Sequence, residues 1–124
     1  MKKTILAFLL LCFIAVCNAQ TWSLNAYQSA YKTKSYGEWS DWTEWFDCDI
    51  DITVSSRKIS IYTQDPQYYA VIQLLSQEDN TWKWQCSDKN GTPCIIRFVI
   101  DTDGNQLYVD YSDAKLVYNI KLIQ

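Results

Sequence analysis

The sequence predicts an all-β domain, an antiparallel meander of about eight strands forming a small closed or nearly closed barrel. Two observations carry this reading. From Cys48 to Leu122 apolar residues recur at every second position, so each segment has one greasy face and one wet face. Between the segments stand short polar turns: Ser55-Ser56-Arg57, Asn90-Gly91, Asp103-Gly104 and Ser112-Asp113. A third consideration selects the architecture. Eight or nine strands in a row leave two exposed edges, which closure removes; a two-sheet sandwich is the alternative.

The elements follow in chain order. Lys2 and Lys3 precede an uncharged apolar run, Ile5 to Val16, that ends in Cys17-Asn18-Ala19-Gln20. A basic start, an apolar stretch and a small residue before the cut describe a secretory signal peptide over residues 1–19, leaving one β domain over 20–124. Lipid attachment at Cys17 is the alternative, although Val16 is bulky for a lipobox. No segment reaches the ~18 apolar residues of a membrane helix. The weakly patterned stretch from Trp22 to Lys34 offers a first strand that pairs with the last one. Ile50, Ile52 and Val54 alternate with Asp49, Asp51 and Thr53, and Ile59 and Ile61 resume the pattern after a turn.

The segment 65–77 reads two ways. Asp65-Pro66 is a good helix start, with Tyr68, Val71, Ile72 and Leu75 on one face. As a strand it places Tyr68, Ala70, Ile72 and Leu74 on one side, and the β-branched pair Val71-Ile72 favours that reading. Further on, Trp82, Trp84 and Cys86 share a face, as do Cys94, Ile96, Phe98 and Ile100, then Leu107, Val109 and Tyr111, and finally Leu116, Tyr118, Ile120 and Leu122.

Removing residues 1–19 leaves nine Lys and Arg against fourteen Asp and Glu, a net charge of −5. No basic cluster exceeds two residues, so the footprint for nucleic acid or anionic membrane is missing. A loop Asp88 to Thr92 with Gly91 in the left-handed conformation sets Cys86 directly opposite Cys94, and export to an oxidising compartment predicts a disulfide there. Cys48 shares phase with Ile50 and is expected to be buried as a small apolar residue. The chain has no histidine, which removes the usual zinc sets, and neither a metal nor a cofactor is expected. Asp101-Thr102-Asp103-Gly104-Asn105 departs from an EF-hand loop, with its glycine one place early, and reads as a hairpin turn. Asp47, Asp49 and Asp51 read as a solvated strand face.

The segment Trp39-Ser40-Asp41-Trp42-Thr43-Glu44-Trp45-Phe46 is the most conspicuous. It is similar on its face to the tryptophan run of thrombospondin type 1 repeats and to the cytokine-receptor box. Neither likeness extends to the six cysteines or the longer chain those families require. If one strand runs from Trp39 to Val54, Trp42 and Phe46 point inward, while Trp39 and Trp45 point outward with Asp41 and Thr43 between them. Flat indole faces beside Asp41 suit a glycan or a peptide. Trp39, Trp45 and Asp41 are therefore the candidate binding residues, and Tyr62 and Tyr108 share the outer phase. Burial of these rings by another strand is the competing reading.

Catalysis finds little support. Without histidine, serine–histidine and cysteine–histidine pairs are excluded. The nearest carboxylate pair is Glu38 and Glu44, whose even phase points inward, so a small glycosidase is the weakest of three expectations and no catalytic residue is assigned. The other two are a glycan- or peptide-binding module and an envelope protein that meets a protein partner through its β surface.

Trp39-Ser40-Asp41-Trp42, Ile59-Ser60-Ile61-Tyr62, Cys86 and Cys94 around Asn90-Gly91, Ile96-Arg97-Phe98, Leu107 to Tyr111 and Tyr118-Asn119-Ile120 together resemble a family of small, exported bacterial β-proteins to which no activity is assigned. The resemblance implies a single β domain and an exported address, in the periplasm or the medium.

Overall fold

The structure, a computed structural model, describes residues 21–123. The expected signal peptide and Cys17 lie outside the described residues. Nine strands follow in order: β1 (Trp22–Ser35), β2 (Glu38–Trp39), β3 (Phe46–Val54), β4 (Lys58–Ile61), β5 (Gln67–Glu78), β6 (Thr81–Asp88), β7 (Pro93–Asp101), β8 (Gly104–Asp110) and β9 (Ala114–Ile123). From β3 onward each strand pairs antiparallel with its successor, and β1 joins β3 on one side and β9 on the other. Eight strands thus close a barrel, with β2 as an added strand on β1. The barrel, rather than the sandwich, is the fold. The first strand does pair with the last, from Ser23 opposite Ile123 to Thr33 opposite Ala114.

Alternation fills the interior. Ile52, Ile59, Ile61, Ile96, Leu107 and Val109 are fully buried, and Tyr69, Tyr118, Trp82 and Trp84 pack with them. An eight-stranded barrel is just narrow enough to be filled by such side chains. Charged Asp47, Asp49 and Asp51 lie exposed on the outside, where Asn25 Nδ2 donates to Asp49 at 2.7 Å and Asp51 at 3.3 Å.

Segment 65–77 is a strand, β5, and its core residue is Tyr69 rather than a member of the Tyr68 set. Irregularities between Val71 and Gln73 and between Leu74 and Ser76 break the alternation, leaving Ile72, Leu74 and Leu75 exposed. β4 covers only Gln67 to Ala70 of its edge, so beyond Val71 that edge has no strand beside it among the described residues.

The 88–92 hairpin has the expected register, with Cys86 opposite Cys94 and Gly91 at φ 82°. Both cysteines are free thiols in the structure. Asp88 N–H donates to Thr92 O, so alternation places Cys86 and Cys94 in a hydrogen-bonded pair. Such pairs sit at the wide end of the ~4.5–5.5 Å Cβ separation, beyond the ~3.5–4.5 Å that a disulfide spans. Burial also pushes the Cys86 thiol up to about 12 and Cys94 to about 11, which keeps both protonated. Cys48 is half-buried at the barrel wall, its thiol raised by burial.

Candidate functional site

The tryptophan segment departs from the continuous strand read in the sequence. After β1 the chain reverses at Tyr36-Gly37, both at positive φ (51° and 80°), the requirement of a tight two-residue hairpin. It returns along β1, pairing Trp39 with Lys34, and then leaves regular structure from Ser40 to Trp45. This strap stays attached because two hydroxyls stand in for backbone carbonyls. Ser40 N–H donates to Thr33 O (2.8 Å) while Thr33 N–H donates to Ser40 Oγ (3.1 Å). Thr43 N–H donates to Tyr31 O (2.9 Å) while Tyr31 N–H donates to Thr43 Oγ1 (3.1 Å). β1 thereby keeps partners in the stretch that β3, beginning at Phe46, does not reach.

The strap's indoles lie across the outer face of the barrel. Ala30 and Val117 point outward, away from the core cluster, yet each is only 3–4% exposed. Trp42 and Trp45 shelter them, and together with Thr43, Gln106 and Tyr108 they line a groove of about 210 Å³. The expected inward position of Trp42 and Phe46 is therefore corrected. Trp42 is 39% exposed with its ring edge-on to Tyr108 (centroids 6.5 Å apart), and Phe46 stacks on Tyr31 outside the barrel at 6.4 Å. The phase was lost because the chain does not run extended through 40–45. Glu38 and Glu44, read as inward, are exposed on the outside.

Trp39, Trp45 and Asp41 all lie on the surface, as read. Their environments differ. Trp39 carries three ammonium groups over its ring, from Lys32 (5.5 Å), Lys34 (5.7 Å) and Lys115 (5.2 Å). Trp45 has no ring or cation partner among the described residues and leaves 44% of its surface in water. Asp41 contributes its backbone carbonyl to Ser40 Oγ at 3.0 Å and its side chain is exposed.

A polar ladder on the outer strand faces supports the groove floor. Asn119 Nδ2 donates to Gln28 Oε1, Gln106 Nε2 to Asn119 Oδ1, and the Tyr108 hydroxyl to Gln106 Oε1, all at 2.8–3.0 Å. The Arg97 guanidinium lies 4.1 Å from the Tyr108 ring centre, and its Nε donates to Asp110 at 2.7 Å. Each partner fixes the next, so Gln106 and Tyr108 are held in place before any ligand arrives. Sequence reasoning placed Tyr108 outside but missed Trp42, Gln106 and the lysines. Gly37 after Tyr36 was the available signal, since a hairpin there folds the tryptophans back over β1.

A second concavity, at one barrel end, is lined by Gln67, Tyr69, Asp88, Lys89 and Tyr111. Its groups are engaged with one another: Tyr111 Oη donates to Asp88 (2.9 Å) and Tyr69 Oη to Gln67 (2.7 Å). Asp88 also accepts from the N–H groups of Asn90 and Thr92, and the Thr92 bond above all lowers its carboxyl. These bonds serve the hairpin. No three potential metal-ligating side chains converge among the described residues. The chain matches no family model, and neither a curated protein nor a solved structure similar to it is found.

Proposed function

We propose that this chain is an exported glycan-binding module whose site is the groove between Trp42, Trp45 and Tyr108. The supporting observation is one open indole, Trp45, beside two ring edges, an amide at Gln106 and a hydroxyl at Thr43, around about 210 Å³. An apolar wall with few oriented polar groups suits a sugar ring, with CH faces on the indole and hydroxyls to Gln106. The roles expected for Trp39 and Asp41 pass largely to Trp42 and Tyr108, while Trp45 keeps its own. The reading makes the protein a binder rather than a catalyst. It also takes residues 1–19 as a signal peptide removed on export, after which an oxidising compartment would cross-link Cys86 to Cys94 despite the wide pair. The intact mass of the secreted protein would then be two hydrogens lighter.

Binding is tested on a glycan array and then by calorimetry. Trp45→Ala is expected to abolish binding of the best array hit, and loss of binding without a change in the far-ultraviolet spectrum supports the site. Undiminished binding by this variant rules the groove out.

The free edge of β5 favours a second reading, docking of a partner strand against Ile72 to Gln77. Leu74→Lys should then remove a partner captured from envelope extract while leaving glycan binding intact.

A further inference from the structure

The lysines around Trp39 carry the glycan reading one step further. Lys32 and Lys115 stand directly opposite each other across β1 and β9 on the outer face. Like charges in that arrangement repel. Lys34 joins them from the same strand, two positions on, and all three ammonium groups lie within 5.7 Å of one ring centre. No two of them can be separated by more than twice that distance. None has a carboxylate within ion-pair reach among the described residues. Asp110, the acid opposite Lys115 on β8, is already bonded to Arg97. On a chain whose mature part carries a net charge of −5, this is a local concentration of positive charge without a counter-ion.

The cluster is continuous with the groove. Lys32 Nζ lies 4.9 Å from the Trp42 ring centre and 5.5 Å from that of Trp39, so one ammonium group reaches both indoles. Trp39 therefore gathers cations, and the open ring for stacking belongs to Trp45.

We propose that Lys32, Lys34 and Lys115, assembled on Trp39, form the acid-reading end of the groove, and that the ligand is an anionic oligosaccharide. Its sugar ring stacks at Trp45 beside the edge of Trp42, and its carboxylate or sulfate accepts hydrogen bonds from the ammonium groups. The inference rests on the glycan-binding reading above. Single-stranded nucleic acid also combines anions with flat rings, but it asks for a basic groove that tracks a backbone, and here the positive charge without a carboxylate partner is confined to one end, Arg97 beside Tyr108 being paired with Asp110.

The test uses four probes on the full mature chain: a uronate tetrasaccharide, a sulfated tetrasaccharide, a neutral tetrasaccharide and an oligothymidylate. Calorimetric titrations at low and high salt are expected to show one of the two acidic sugars binding at least tenfold tighter than the neutral one at low salt. That preference should shrink as salt rises. Lys115→Gln should weaken the acidic sugar by about fivefold or more and leave the neutral one unchanged, and Lys32→Gln should repeat the result in a second background. Equal affinity for acidic and neutral sugars, lost together in Trp45→Ala, overturns this inference and leaves the glycan reading standing. No binding of any sugar overturns both. Tighter binding of the oligothymidylate replaces the sugar with a nucleic acid.

Discussion

Replacing Trp42 with alanine tests whether the strap is held by its indole. Trp42 leaves 39% of its surface in water, so the fold covers about 150 Å² of a side chain that offers up to ~250 Å². At ~25 cal/mol per Å² that burial is worth at most about 4 kcal/mol. Residual compactness of the unfolded chain reduces the figure to roughly 2–3 kcal/mol. The edge contact with Tyr108 goes as well, and Ala30 and Val117 become wet. With a slope of ~1–3 kcal/mol/M for a small domain, the urea midpoint should fall by about 1–2 M. Amide exchange should localise the damage, with Ser40, Thr43, Tyr31 and Thr33 losing protection before the barrel core. An unfolding free energy within ~0.5 kcal/mol of the parent, the usual range for an idle surface position, would refute the reasoning. Unchanged protection at Ser40 and Thr43 would do the same.

Three further outcomes follow from the buried and hydrogen-bonded groups. Burial raises Tyr69 and Cys86 to about 12 and Cys94 to about 11, and raises Tyr118 as well, so the unfolded chain releases these protons first. Stability is then complete below pH 9 and declines as pH rises from 9 through about 12; a flat urea midpoint between pH 8 and 11 contradicts this. Asp88 is displaced the other way, chiefly by the Thr92 N–H, so its contribution is present above its ordinary value of 3.8 and is lost as pH falls through the lowered one. Asp88→Ala should therefore lower the melting temperature at pH 7, and by progressively less as pH falls below 3.8. In protein folded under reducing conditions, iodoacetamide at pH 8 should label half-buried Cys48 and spare Cys86 and Cys94 until urea is added, as peptide mass spectrometry would show.

Most of the barrel was legible because a filled interior imposes strict alternation, and Ile50 to Val54, Trp82 to Cys86, Cys94 to Ile100 and Leu116 to Leu122 obey it. β5 did not fit so cleanly. Its two irregularities leave Ile72, Leu74 and Leu75 in solvent, where they satisfy a helical and an extended pattern equally well. Bulges cannot be read from composition, since the extra residue on one strand is defined by what lies opposite it.

The site was harder to read for a related reason. Trp39, Trp42 and Trp45 are evenly spaced, and a period-two reading divides them between inside and outside. The structure instead keeps all three outside, because the chain turns at Tyr36-Gly37 and two hydroxyls, Ser40 and Thr43, anchor the return. Neither hydroxyl is unusual in sequence. Their effect depends on N–H groups of β1 that are exposed only because β3 begins at Phe46. The lysines follow the same logic. Lys32 and Lys34 are modest neighbours in the chain, and Lys115 lies some eighty positions away. Closure of β1 on β9 sets Lys32 against Lys115, and the hairpin sets Lys34 against Trp39. The charge cluster is thus a product of barrel topology and one two-residue turn. Moving that turn, for example by inserting a residue after Gly37, should disperse the cluster while leaving the filled core intact.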